Sequence, residues 1–204
     1  MVKFCLTVVL LLINLTSGSK ADAQEYWAHE FAPKPDQIMI YQGLGDDVQS
    51  LEFTVIYHIR PHGEREDGYL VSEYTIFSHD LEDPQFYPIP SIDYYLNEQG
   101  LMARSSFEKS QGLMPYLVLP YKFREGDTFI GKEGMTYLIK AVAVKVTEHD
   151  LTYDNCVEVN NELGDQLFFM SDKGVVLSLG NDERWMLSDG PADAAELTRK
   201  YRIP

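Results

Sequence analysis

Cysteine is nearly absent: 204 residues contain two, Cys5 and Cys156. Two thiols are too few for a disulfide-dense scaffold or a four-cysteine zinc site. Basic residues are scarce as well, with 17 Lys and Arg against 32 Asp and Glu, leaving a formal net charge of −15. So acidic a chain lacks the basic face with which a nucleic-acid binder displaces counterions from phosphates, and no nucleic-acid partner is expected. The same charge disfavours adsorption to anionic head groups, although it does not govern apolar contact with lipid. No apolar run reaches the roughly 20 residues of a membrane-spanning helix, so no transmembrane segment is expected. No Gly-x-Ser-x-Gly elbow, Gly-x-x-x-x-Gly-Lys phosphate loop or His-Glu-x-x-His pair is expected. Each would mark a known catalytic or nucleotide-binding arrangement.

What is present makes a globular chain. Apolar residues are 45% and charged residues 24%, a balance that supports a packed core. The length fits one domain, and no repeat, low-complexity tract or Gly/Ser linker divides it. Residues 1–23 have the form of a secretory signal peptide. Lys3 gives the positive start, Phe4 to Ile13 the apolar centre, and Ala21-Asp22-Ala23 a small-x-small cleavage site. Cys5 precedes the apolar run, so it does not stand where a lipid-anchored cysteine would. The expected organisation is a leader over 1–23 and a single β-rich domain over 24–204, exported to a periplasmic or extracellular location. Without the leader, Cys156 is the only thiol, and an apolar core alone is expected to hold the domain.

The patterning is that of strands and turns. Leu51, Phe53, Val55, Tyr57 and Ile59 alternate with Glu52, Thr54, Ile56, His58 and Arg60, the period of a half-buried strand. A charged turn follows, and Tyr69–Phe77 reads as the returning strand of a hairpin. Asp80–Pro90, with three prolines and three acids, reads as loop. Ile92–Leu96 and Leu101–Phe107 flank the turn Asn97-Glu98-Gln99-Gly100. Further strands are expected over Leu113–Leu119, Tyr121–Thr128, Thr136–Thr147, Tyr153–Val159, Gln166–Met170, Val175–Leu179 and Arg184–Leu187. A closing helix is expected over Ala192–Lys200, capped by Ser188 or Asp189 with Pro191 in its first turn. The fold class is therefore mainly β, a β-rich α+β chain: one curved antiparallel sheet or half-barrel meander with a C-terminal helix. Apolar residues on both faces of some strands (Ile56, Phe168) require cover on both sides, curling, or an apolar concavity.

No residue is singled out as catalytic, no metal ligand set is assigned, and no cofactor is expected. His58 and His62 with Glu64 have a ligand-like spacing, but Pro61 and Gly63 break the helix that spacing would need, so solvated residues at a strand end are expected. The acids Asp46, Asp47, Asp80, Glu82 and Asp83 lack the alternation of a calcium loop and read as solvated surface. Cys156 would serve as a nucleophile only beside a base. Asp154 and Glu158 flank it, on the same strand face by alternation, and would raise its pKa, so a structural thiol is expected. The 32 acids contain no marked carboxylate pair for hydrolysis. The aromatic residues Tyr69, Tyr74, Phe77, Phe86, Tyr87, Tyr94 and Tyr95 cluster in one stretch and are expected mainly in the core, with a ligand-lining role as the alternative.

An ordered series runs through the C-terminal half: Pro120 with Arg124-Glu125-Gly126-Asp127-Thr128-Phe129, then Tyr153-Asp154-Asn155-Cys156-Val157-Glu158-Val159, then Phe168-Phe169 before Lys173-Gly174-Val175-Val176. This series resembles a group of uncharacterised secreted bacterial β-rich domains, some of which are similar to periplasmic lipoprotein carriers. The resemblance implies a curved antiparallel sheet able to shelter an acyl chain, and it implies no catalytic residues.

The first functional expectation is an exported, non-catalytic binding or envelope-accessory protein that buries a lipid or other apolar ligand, driven by about 25 cal/mol per Å² removed from water. The second is an interaction module that meets another envelope protein through a strand edge or acidic face. The third is a hydrolase with a carboxylate or Cys/His site that a linear reading does not reveal.

Overall fold

A computed structural model of the chain describes residues 24–44, 51–61, 68–77, 87–180 and 184–192. In chain order the strands are β1 (Tyr26–Trp27), β2 (Gln37–Leu44), β3 (Leu51–Pro61), β4 (Gly68–Phe77), β5 (Tyr87–Leu96) and β6 (Gly100–Ser105). The helix α1 (Ser106–Ser110) follows, then β7 (Tyr116–Pro120), β8 (Lys122–Phe123), β9 (Thr128–Ile130) and β10 (Thr136–Glu148). Last come β11 (Leu151–Asn161), β12 (Gln166–Met170), β13 (Gly174–Leu179) and β14 (Arg184–Ala192).

Twelve strands form one antiparallel sheet in the order β7-β6-β5-β4-β3-β2-β14-β13-β12-β11-β10-β9. The sheet curls until it is nearly closed. Its free edges, β7 and β9, approach each other without pairing: a Cβ added to Gly131, just past β9, would lie 3.0 Å from the Leu117 carbonyl oxygen of β7. One sheet face is the core. Met39 and Tyr41 of β2 lie opposite Tyr57 and Val55 of β3, and they pack with Ile59, Tyr69, Val71, Ile139, Phe169, Leu177 and Leu187. Each such buried side chain contributes roughly 1.5–3 kcal/mol by leaving water. Ile38, Ile40 and Ile56 alternate onto the opposite face and are buried as well, which is why β2 is apolar without a break from Ile38 to Tyr41.

The segment before β2 forms a strap at one end of the curl. β1 pairs with β8, and Ala28 N–H donates to Tyr121 O at 3.1 Å. Phe31 is buried against Phe123, ring centroids 5.8 Å apart, and Tyr26 stacks on Phe123 at 6.1 Å. At its far end the strap meets the β12–β13 turn: Asp172 N–H donates to Glu30 O at 2.8 Å, and Lys34 Nζ lies 2.7 Å from Asp172 Oδ2.

The Asn97–Gly100 turn joins β5 to β6, with Asn97 Oδ1 accepting from the N–H groups of Gln99 and Gly100. Gly100 has φ +142°, and a Cβ there would meet the Leu119 carbonyl oxygen at 2.0 Å, so only glycine lets β7 pass so close. The Gly-Asp-Thr signature is also a turn. Asp127 Oδ2 accepts from Arg124 N–H at 2.9 Å, and Gly126 N–H donates to Ile139 O of β10 at 2.8 Å.

Several sequence expectations are corrected. Tyr87–Pro90 is not loop but the start of β5. There β5 is paired on one side only, because its pairing with β6 begins at Ile92, so Pro88 and Pro90 forfeit no second ladder. Ser188 and Asp189 do not cap a helix, and Pro191 does not open one, because β14 continues to Ala192. Ser188 Oγ instead donates to Ile40 O of β2 at 3.1 Å, and register shifts around Asp189 accommodate the proline. The rest of the expected C-terminal helix, residues 193–200, lies outside the described residues, as does the leader. The strand expected to Phe107 stops at Ser105, which caps α1 in a capping box with Glu108. The strand expected from Leu113 begins at Tyr116, and that over Tyr121–Thr128 is reduced to β8.

Candidate functional site

Inside the curl, the packed core leaves a cavity of about 100 Å³. β2 contributes Met39 and Tyr41, β3 Tyr57 and Ile59, β4 Tyr69 and Val71, β5 Tyr94, and β14 Trp185. Leu101, Val118, Phe169 and Val175 complete the apolar wall, and Pro33 of the strap meets Lys173 and Gly174 on one side. The position of each is a consequence of alternation: residues two apart on β2, β3 and β4 share the inner face.

Six aromatic residues, Tyr41, Tyr57, Tyr69, Tyr94, Phe169 and Trp185, give the cavity its character. Tyr41 lies 4.7 Å from Tyr57 and 4.9 Å from Trp185, the latter edge-on at 82°. Tyr69 and Tyr94 are stacked, 5.0 Å apart and 8° from parallel. Tyr41 Oη donates to Val175 O at 2.9 Å, which fixes that ring. Burial, with Tyr94 and Tyr41 nearby, pushes the Tyr69 phenol well above its ordinary range, so it stays neutral and able to donate.

A second, shallower space of about 560 Å³ lies along the seam between β7 and β9, lined by Met102, Met114, Leu117, Ile130, Gly131 and Glu133 among others. Met114 is 83% and Ile130 59% exposed.

The sequence candidates fall as follows. Of the aromatic cluster, Tyr69 and Tyr94 line the cavity, whereas Tyr95 does not; the side chains of Tyr74, Phe77, Phe86 and Tyr87 lie outside the description. Tyr41, Tyr57 and Trp185 were not singled out. Their signal was the inner-face parity of β3, which extends to β2 and β14 once those strands are recognised.

His58 sits half-buried on β3, and its pKa is lowered by burial and then by Arg60. Its suggested companions His62 and Glu64 lie outside the described residues, as do Asp46, Asp47, Asp80, Glu82 and Asp83. Among the described residues no group of three or more His, Cys, Asp or Glu is placed to hold a metal ion.

Cys156 is corrected in orientation. Strict alternation puts it with Asp154 and Glu158, away from Val157, yet both Cys156 and Val157 are buried in the core, and Asp154 is exposed. Asn155 has φ +56° and the β10–β11 register shifts beside it, a bulge that turns Cys156 inward. Burial first, then Asp154, pushes its thiol up to about 11, so the thiolate needed for nucleophilic attack is suppressed.

The expectation that no Gly-x-x-x-x-Gly-Lys occurs is corrected: Gly126 to Lys132 spells it, with Glu133 where a phosphate loop has Ser or Thr. Here it runs from turn to β9 to a short 3₁₀ turn, without the helix N-terminus that such a loop needs. Comparison with family models, curated proteins and solved structures finds no match to this chain.

Proposed function

We propose that this chain is a non-catalytic binding protein that shelters a small apolar group inside its curled sheet. The observation that carries the reading is the cavity of about 100 Å³ walled by Tyr41, Tyr57, Tyr69, Tyr94 and Trp185. Aromatic walls with a few polar atoms are the composition of small-molecule sites. The volume refines the ligand: pockets for whole drug-sized molecules span roughly 300–1,000 Å³, so this one takes a compact molecule or the end of a chain rather than an entire acyl chain. Export through the 1–23 leader, and kinship with secreted bacterial domains over Pro120 to Val176, belong to the same proposal.

Native mass spectrometry of the protein from its own host, followed by denaturing extraction, tests the reading. A small molecule that co-purifies and is lost on denaturation supports it; a clean monomer mass counts against it. The β7–β9 seam favours a second reading, an interaction module, because it combines two unpaired strand edges with the exposed Met114 and Ile130. A clean dimer or a protein partner in the same spectrum would favour that one.

A further inference from the structure

One wall residue of the cavity has a polar atom without a partner. Tyr69 is 4% exposed, yet among the described residues its hydroxyl makes no hydrogen bond, in contrast to Tyr41, which donates to Val175 O. Nor is that oxygen sealed among apolar atoms, since among the described residues the fully enclosed, unpaired side-chain atoms belong to Gln37, Arg104 and Asn160. A buried hydroxyl that is neither bonded nor enclosed faces open space, and the cavity is the space Tyr69 lines. A ligand that brings an acceptor to that hydroxyl gains a hydrogen bond shielded from bulk water.

Size narrows the ligand further. About 100 Å³ is less than the roughly 150 Å³ of an engineered cavity that admits benzene. Benzene's six heavy atoms are therefore about the upper bound for the guest. A carboxylate would be desolvated against tyrosine, tryptophan and aliphatic walls, which disfavours a charged guest.

Resting on the binding reading above, we propose that the cavity takes a small, uncharged carbonyl compound, or the carbonyl-bearing end of a larger one, whose oxygen accepts a hydrogen bond from the Tyr69 hydroxyl. The ring or branched carbon body packs against the wall that Tyr41, Tyr57 and Trp185 form by touching one another, while Tyr94, stacked on Tyr69, holds the donor in place.

Cyclopentanone and cyclopentane, alike in shape and different in the acceptor, test this by ligand-observed NMR titration of the full chain and its Tyr69→Phe variant. The expected result is that Tyr69→Phe weakens cyclopentanone by about 2- to 12-fold, the worth of one hydrogen bond, and leaves cyclopentane unchanged. Nuclear Overhauser contacts from cyclopentanone to the Tyr69 and Trp185 rings of the unsubstituted chain are expected as well, and they do not depend on the variant's folding. Equal effects on both probes would overturn the role of Tyr69 and leave the binding reading standing. Binding of neither probe would overturn both. Tighter binding of cyclopentanecarboxylate than of cyclopentanone would overturn the uncharged ligand in favour of one anchored by Lys173.

Discussion

Tyr69 of β4 and Tyr94 of β5 are direct partners in the ladder, and their rings stack 5.0 Å apart at 8° from parallel. Cross-strand aromatic pairs of this kind contribute beyond the area they bury, by about 0.5–1.5 kcal/mol. Tyr69→Ala removes the pair and most of a buried ring, and is expected to cost roughly 3–5 kcal/mol. Tyr69→Phe keeps the ring and is expected to stay within about 1 kcal/mol of the parent. Urea midpoints of the two variants check the difference.

Gly100 and Gly112 both have positive φ, but they differ in surroundings. A Cβ on Gly100 overlaps backbone atoms of Leu119 and Tyr121, whereas one on Gly112 meets nothing within 4 Å. Gly112→Ala is therefore expected to cost only the left-handed backbone strain, roughly 1–2 kcal/mol. Gly100→Ala forces β7 away from the turn and is expected to cost roughly 4 kcal/mol or more. Thermal melts of the two variants side by side would reveal it.

The strap should respond to acid. Glu25 pairs with Lys122 and, at 2.8 Å, with Arg124, and its hydrogen bond to Lys122 is the main cause holding its carboxyl below the ordinary 4.5. The folded pKa lies below the unfolded one, so the contribution is present above about pH 4.5 and is lost as pH falls through the lower folded value. Amide exchange at Ala28, which donates to Tyr121 O, reports the strap directly. Its protection factor is expected to fall in acid in the parent chain, and to be lower already at neutral pH, with a weaker acid response, in Glu25→Gln.

Cys156 is 0% exposed, and burial pushes its thiol to about 11. With Cys5→Ser in place, no thiol is expected to react with a disulfide reagent at pH 8 in the native protein, and one equivalent is expected in urea. Rapid native labelling would show that the inward bulge at Asn155 is wrong.

The sequence made β3, β4, β10 and β12 legible because each alternates or is bounded by clear turns. β2 escaped notice for the opposite reason: Ile38, Met39, Ile40 and Tyr41 are all buried, so no polar residue marks a period, and prolines precede the run. α1 did leave a trace, since Ser105 and Glu108 have capping-box spacing, but a five-residue helix is overridden by the strand before it. The cavity was half visible. Tyr69 and Tyr94 stood out by local density, and Tyr41 reaches them through β3, whereas Trp185 reaches them only through the β2–β14 pairing, a contact between positions more than 140 residues apart that no local pattern encodes. Cys156 was misplaced because the bulge at Asn155 turns it inward beside Val157, while Val157 and Val159 keep the core-facing parity of Tyr153.

The sheet order has a consequence for how the molecule is assembled. Strands β2 to β7 form one meander of six and β9 to β14 another, and within the twelve-stranded sheet the two meet only where β14 lies against β2. A chain emerging from its N-terminus can complete the first meander early, but β2 then remains an unsatisfied edge until residues 184–192 have been made. Closure thus waits for β14, with the slow kinetics of a distant pairing. Until then the polypeptide exists as two open sheets, without the enclosed interior that the finished protein has.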